Sequence, residues 1–227
     1  MIPLRDDNPT RTRPVVTIGL IAACALVYVW QLTLPPSAGE AAIYSLGLIP
    51  AVLFGATALP AELYAVPAPL TLVTSMFLHG GLWHLAGNML YLWIFGDNIE
   101  DRMGRGRFIA FYVVCGIAAA LAQALPSARS VVPMIGASGA VSGVLGAYLV
   151  LYPRANVLVA MPLIVVLYTF HLPALAVLGI WFVGQLLSSL TQDPGQAGVA
   201  FRAHIGGFVA GLVLVKLFVA RPRAYRR

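Results

Sequence analysis

Apolar residues along this chain come in runs near 14–34, 72–95, 107–125, 136–152, 172–190 and 203–220. Each is close to the roughly 20 residues a helix needs to cross the hydrocarbon of a bilayer. The pattern predicts six helices. A further apolar stretch, Val157–Phe170, contains Pro162 and is flanked by Pro153 and Pro173, residues that punctuate helices rather than extend them.

Charge decides between six spans and seven. With six, Arg5, Arg11, Arg13, Arg102, Arg105, Arg107, Arg154, Arg221, Arg223, Arg226 and Arg227, eleven of the 14 basic residues, fall on one side. Lys216 lies within snorkelling reach of that side, which the positive-inside rule makes cytoplasmic. A seventh span would export the four-arginine tail and carry His204 to the face opposite Ser138. The stretch 155–171 is therefore expected to be an irregular apolar lead-in on the cytoplasmic side.

The expected fold is an all-α polytopic membrane protein, a bundle of six transmembrane helices with both termini cytoplasmic, in the cell (inner) membrane. Residues 1–13 form a cytoplasmic N-terminal segment, 14–220 the membrane domain, and 221–227 a basic tail suited to anionic headgroups. The long first loop, 35–71, carries Pro35, Pro36, Pro50, Pro60, Pro67 and Pro69 but also Leu46, Leu48, Ile49, Val52, Leu53 and Phe54. Short helices lying in the outer interface are expected there.

Composition agrees. The 227 residues are 60% apolar and only 10% charged, with a mean hydropathy of +0.87, against about 25% charged in soluble domains. The net charge of +6 does not signal a nucleic-acid partner, because no basic face is interleaved with aromatics. Cys24 and Cys115 fall inside apolar runs, where a thiol packs as a small hydrophobe.

Polar side chains inside apolar runs are costly and so become functional candidates. His84 and Asn88 are spaced i,i+4 and share one helix face. His79 would be rotated roughly 140° from His84 on a continuous helix, a position suited to orienting the loop. Ser138 stands in Gly136-Ala137-Ser138-Gly139 at the start of the fourth span, where small neighbours leave its hydroxyl and nearby backbone N–H groups accessible to a developing oxyanion. His204 lies about a turn into the last span, in Ala203-His204-Ile205-Gly206-Gly207. With six spans, both enter from the outer side and reach similar depth.

The small-residue steps Gly139/Gly143 and Gly207/Gly211 let their two helices approach closely, as a Ser–His hydrogen bond requires. None of the eight acids falls in the outer half of a span. The expectation is thus a dyad, with Ser138 as nucleophile and His204 as general base, and with Asn88 and His84 stabilising the oxyanion. His171 is assigned a structural role. A metal or proton transporter is disfavoured by the lack of paired intramembrane carboxylates and of an H-E-x-x-H motif.

Taken in order, His79-x4-His84-x3-Asn88, Gly136-x-Ser138-Gly139 and Ala203-His204-x2-Gly207 resemble the rhomboid family of intramembrane serine proteases over nearly the whole chain. The resemblance implies catalysis by Ser138 and His204, and an oxyanion site of His84, Asn88 and the Ser138 backbone N–H, with His79 and Gly136 as possible support. It implies no metal or organic cofactor, and transmembrane segments of other membrane proteins as substrates. Gly96-x3-Glu100-x-Arg102-x-Gly104 is similar to the family's cytoplasmic turn, in which acid and arginine pair. Trp181, Phe182 and the loop Thr191–Ala200 correspond to a movable gate. Two departures stand out: the Trp-Arg pair frequent in the family's first loop is absent, and Ser142 occupies the place of an aromatic beneath the catalytic histidine. The alternative is a catalytically inactive rhomboid-like protein that binds membrane clients.

Overall fold

The computed structural model describes residues 1–163, 166–191 and 198–219. In chain order the elements are β1 (Ile2–Asp6), α1 (Val15–Thr33), α2 (Pro36–Leu46), α3 (Pro50–Leu53), α4 (Thr71–Thr74), α5 (Leu82–Met103), α6 (Arg105–Ala124), α7 (Ser138–Leu151), β2 (Asn156–Leu163), β3 (Val166–Pro173), α8 (Ala174–Thr191) and α9 (Phe201–Phe218). Single 3-10 turns fill parts of the connections. The short helices expected in the first loop are present as α2 and α3.

The architecture is mostly helical. Among the described residues, four helices are long and apolar enough to cross a membrane: Val15–Thr33, Arg105–Ser127, Ala174–Thr191 and Phe201–Phe218. A fifth span results if Ala61–Phe77 and Leu82–Met103, bent by 83°, are taken together. The expected second span, 72–95, is therefore displaced. Its helix starts at Leu82 and runs to Met103, because Gly80 and Gly81 break the chain direction before it. At 14 residues α7 falls short of a spanning length, reaching only about 21 Å at 1.5 Å per residue.

That short helix is the centre of the molecule. Gly139 through Tyr148 are all buried, as suits a helix apolar on every side. Around it, α1, α8 and α9 turn Leu26, Leu32, Ile180, Leu190, Val213 and Leu217 outward, an apolar periphery suited to acyl chains. Small residues set the spacing of α7 and α9: a β-carbon on Gly207 would meet the Gly139 carbonyl oxygen, and one on Gly211 the Gly143 carbonyl oxygen. The same backbone approach holds Ser138 and His204 at neighbouring ends of the two helices.

The all-α expectation does not hold. A three-stranded antiparallel sheet in the order β1-β2-β3 occupies the end of the molecule opposite Ser138. Instead of an irregular lead-in, 155–171 contributes most of a hairpin, whose register runs from Asn156 opposite Pro173 to Leu163 opposite Val166. The reason is composition: Val157, Val159, Tyr168, Thr169 and Phe170 are β-branched or aromatic, and Val157 and Val159 alternate into the core. The segment 1–13 supplies β1, paired from Ile2 opposite Ala160 to Asp6 opposite Val157, with an irregularity between Pro3 and Arg5.

Polar bonds fasten this end. Glu100, buried near the end of α5, accepts from Val16 N (3.0 Å), Thr17 N (2.8 Å) and Thr17 Oγ1 (2.9 Å), occupying the free N–H groups that open α1. Asp101 accepts from Thr12 N and Oγ1 at 2.9 and 2.7 Å. Among the described residues Glu100 makes no ion pair with Arg102, so the expected acid–arginine pairing is replaced by a helix cap. Gly104, at φ 81°, turns the chain from α5 into α6, a conformation that favours glycine. Tyr148 Oη donates to Asp6 Oδ2, joining α7 to β1. Arg221–Arg227 lie outside the described residues.

Candidate active site

At the end away from the sheet, the starts of α5, α7 and α9 surround a cavity of about 780 Å³. His84, Asn88, Ser138, Ser142, Trp181 and His204 are among its lining residues.

Gly136 shapes the turn before Ser138. Its φ of 120° lies where side chains are rarely tolerated, and a β-carbon there would come within 2.7 Å of His84 Cε1 and Nε2. Gly136 N donates to Ser75 O at 2.8 Å, tying the turn to the segment ahead of α5. Ser138 follows as the first residue of α7, and no side chain caps that helix. Its first backbone N–H groups are thus open to an acceptor.

Two side chains of α5 face this turn. Gly80 N donates to His84 Nδ1 at 3.4 Å, which puts the imidazole proton on Nε2, the atom turned toward Gly136. Asn88 is buried, and its Nδ2 has no hydrogen-bond partner among the described residues. It lies 3.9 Å from where a Gly136 β-carbon would be. A buried amide left without an acceptor costs roughly 1–3 kcal/mol, so the place it points to is where an acceptor is missing.

His79 sits differently from its expected helical position. Because α5 begins at Leu82, His79 belongs to the lead-in and not to the far side of the helix. Its ring packs edge-on against His84 with centroids 5.2 Å apart, and its Nδ1 lies 3.2 Å from Phe77 O. Gln31 of α1 grips its backbone, accepting from His79 N at 3.0 Å and donating to His79 O at 3.3 Å.

His204, in the first turn of α9, shares the cavity with Ser138, but among the described residues no hydrogen bond joins them. His204 Nδ1 instead lies 2.6 Å from Gln185 Oε1 of α8. Trp181, one turn earlier on α8, packs against the imidazole with ring centroids 6.0 Å apart and planes inclined by 31°. Phe201 meets it edge-on at 6.3 Å. Ser142 Oγ donates back to Ser138 O at 2.6 Å, the local bond hydroxyls commonly make in helices. The aromatic contacts to His204 come from Trp181 and Phe201.

Nothing in the spacing of motifs singles out Gln185. The signal was its isolation: from Ala174 to Leu187 it is the one carboxamide among aliphatic, aromatic and glycine residues, and such a group in an apolar helix needs a partner. Of the loop Thr191–Ala200, residues 192–197 lie outside the described residues. No group of three or more His, Cys, Asp or Glu that could hold a metal occurs among the described residues.

A model of the Rhomboid domain matches residues 67–221. Rhomboid protein 1, mitochondrial, of Saccharomyces cerevisiae is 33% identical over 159 residues, covering 65% of this chain and 41% of its own length. RHOMBOID-like protein 5 of Arabidopsis thaliana is 30% identical over 160 residues, covering 67% and 45%. Rhomboid protease GluP of Bacillus subtilis is 44% identical over 78 residues, covering 34% and 15%. The chain thus spans less than half the length of each of these relatives. With the rhomboid match over most of its length and an apolar helical periphery, the chain is an integral membrane protein that belongs to the rhomboid family.

Proposed function

We propose that the protein is an intramembrane serine endopeptidase that cleaves transmembrane segments of other membrane proteins through a Ser138–His204 dyad. The observation that carries the reading is the convergence, on one cavity, of an uncapped serine at a helix start, a histidine and a buried amide without an acceptor. The name of the Bacillus subtilis relative, a rhomboid protease, supports the same chemistry.

In this reading Ser138 Oγ attacks the scissile carbonyl carbon while His204 Nε2 takes the hydroxyl proton. The resulting oxyanion accepts hydrogen bonds from Asn88 Nδ2, His84 Nε2 and the Ser138 backbone N–H. Collapse expels the amine, which receives the proton from His204, and a water then repeats the cycle on the acyl-enzyme. Catalytic hydrogen bonds are often long in a free enzyme and tighten when substrate binds, so the Ser138–His204 contact forms in the complex. The chemistry draws on no metal or organic cofactor.

Six membrane-crossing helices belong to this reading, with α5 and the short α7 as the second and fourth. A short α7 starts Ser138 below the surface, and the cavity supplies the water that hydrolysis needs. The substrate helix must unwind locally to offer its carbonyl, entering past α8 with Trp181 and Phe182 as the gate. The clustering of arginine assigns both termini to the cytoplasmic side of the cell (inner) membrane. The name of the yeast relative is mitochondrial, so fractionation of tagged protein is the check on which membrane holds it.

The test is cleavage of a model transmembrane substrate by purified protein. Wild type should cleave, and Ser138→Ala and His204→Ala should each lose activity by roughly 10⁴-fold or more. Undiminished cleavage in either variant would sink the dyad, and a wild type that cleaves nothing would leave the inactive client-binding alternative.

A further inference from the structure

One strong polar contact at the site has no part in the chemistry above. Gln185 stands four residues after Trp181, so both project from one face of α8, and both meet His204. Two of the three hydroxyls farther along α8 bond locally: Ser189 Oγ donates to Leu186 O, and Thr191 Oγ1 to Ser188 O. Among the described residues, Gln185 is the side chain of α8 that hydrogen-bonds another helix, at 2.6 Å.

The bond has a direction. With the carboxamide oxygen turned to the ring, Gln185 Oε1 can only accept, which assigns the proton of this short contact to His204 Nδ1. The imidazole is then the tautomer whose Nε2 bears the free lone pair. The partner on one ring nitrogen commonly sets what the other can do. In serine hydrolases built as triads, a carboxylate on a third element holds the histidine in this way; here none of the described acids lines the cavity.

We propose that Gln185 is a positioning residue that takes the third place beside Ser138 and His204, holding the imidazole with Nε2 free to accept the serine proton. The proposal rests on the dyad reading. It assigns α8 a role in orienting the base in addition to bordering the cavity.

Around His204, the titratable groups of the described residues are few. His84 and Tyr91 line the cavity from α5, and Arg202 lies two residues back on α9. The halves of α6, α7 and α8 that face the site end, 116–124, 138–145 and 181–191, carry no titratable side chain. A charge introduced at position 185 therefore has no nearby competitor on those helices.

The experiment compares wild type, Gln185→Leu and Gln185→Glu in cleavage of the model transmembrane substrate, with kcat and KM measured separately across pH. Gln185→Leu should lower kcat roughly 30-fold with KM nearly unchanged, the size expected for one orienting hydrogen bond. Gln185→Glu restores an acceptor and should recover most of kcat. Its acid-side fall should move to higher pH, because a carboxylate favours the protonated imidazole. A kcat unchanged in Gln185→Leu, or a Gln185→Glu variant as slow as the leucine variant with an unshifted profile, overturns the proposal while leaving an active wild type and an inactive Ser138→Ala, and hence the dyad, intact. A wild type that cleaves nothing overturns both.

Discussion

The carboxylates at one end of the helical bundle and the site donors at the other are used in opposite ways, although Asn8 Nδ2 and Asn98 Oδ1 near the sheet end are also buried without partners among the described residues. At the sheet end the carboxylates are occupied: Glu100 accepts three hydrogen bonds from the start of α1, Asp101 two from Thr12, and Asp7 two from Asn156. At the site end donors are left open: Asn88 Nδ2 and His79 Nε2 are buried without partners among the described residues, and the Ser138 hydroxyl is not bonded to His204. Occupied groups hold a fold, and unoccupied ones cost stability unless a reaction fills them. The contrast locates where the molecule acts and where it is fastened, and it makes the two ends separable by mutation.

Among substitutions that test this contrast, the largest effect is expected at Asn88. Replacement by alanine removes one of the proposed oxyanion donors and should lower kcat about 10²- to 10³-fold. Because that donor has no partner among the described residues, the thermal midpoint should stay where it is or rise slightly. A variant that unfolds at lower temperature in proportion to its lost activity would make Asn88 a structural residue and erase the contrast.

Glu100→Ala should do the reverse. It strips three bonds from the N-terminus of α1 in a site that is 1% exposed, at a cost of about 2–4 kcal/mol. Activity per folded molecule should be retained, since the sheet end lies along α5 from His84 and Asn88. Thermal unfolding alongside titration of active sites separates the two quantities. Loss of turnover without loss of stability would show the ends to be coupled.

How far each end was legible follows from the range of its signals. The site end is written in local anomalies: a serine among glycines, histidines in apolar runs, and an i,i+4 pair on α5, with Gly139/Gly143 and Gly207/Gly211 announcing the close approach of two helices. A charge count supplied the shared depth. Gln185 escaped because a single carboxamide carries no motif, and its meaning depends on α8 lying against α9. His79 was misplaced because the 140° angle assumes a continuous helix, whereas the chain turns at Gly80 and Gly81. At the sheet end β1 pairs with residues more than 150 positions away, which no local pattern reveals. The hairpin did carry a strand signal in Val157, Val159, Tyr168, Thr169 and Phe170, but in a chain this apolar the run reads equally as membrane helix or lead-in.

The smallest effect tests how the sheet is fastened. Asp6 and Asp7 are adjacent yet shifted in opposite directions from the ordinary carboxylate value of 3.8. Burial pushes Asp6 up, a rise that the hydrogen bond from Tyr148 only partly offsets. The Asn156 side-chain and backbone N–H groups hold the exposed Asp7 below its ordinary value. A lowered carboxylate contributes stability above its unfolded value and loses it as pH falls through the folded one. A raised carboxylate loses stability as pH climbs from the unfolded value through the folded one. Asp7→Asn should therefore flatten the acid side of the thermal midpoint below pH 4, and Asp6→Asn the side just above it, each by about a degree, the size of a weak surface contact. The two variants must bend the profile on opposite sides of pH 4. If both bend the same side, the strand β1 is not held by these two carboxylates in the way their surroundings dictate.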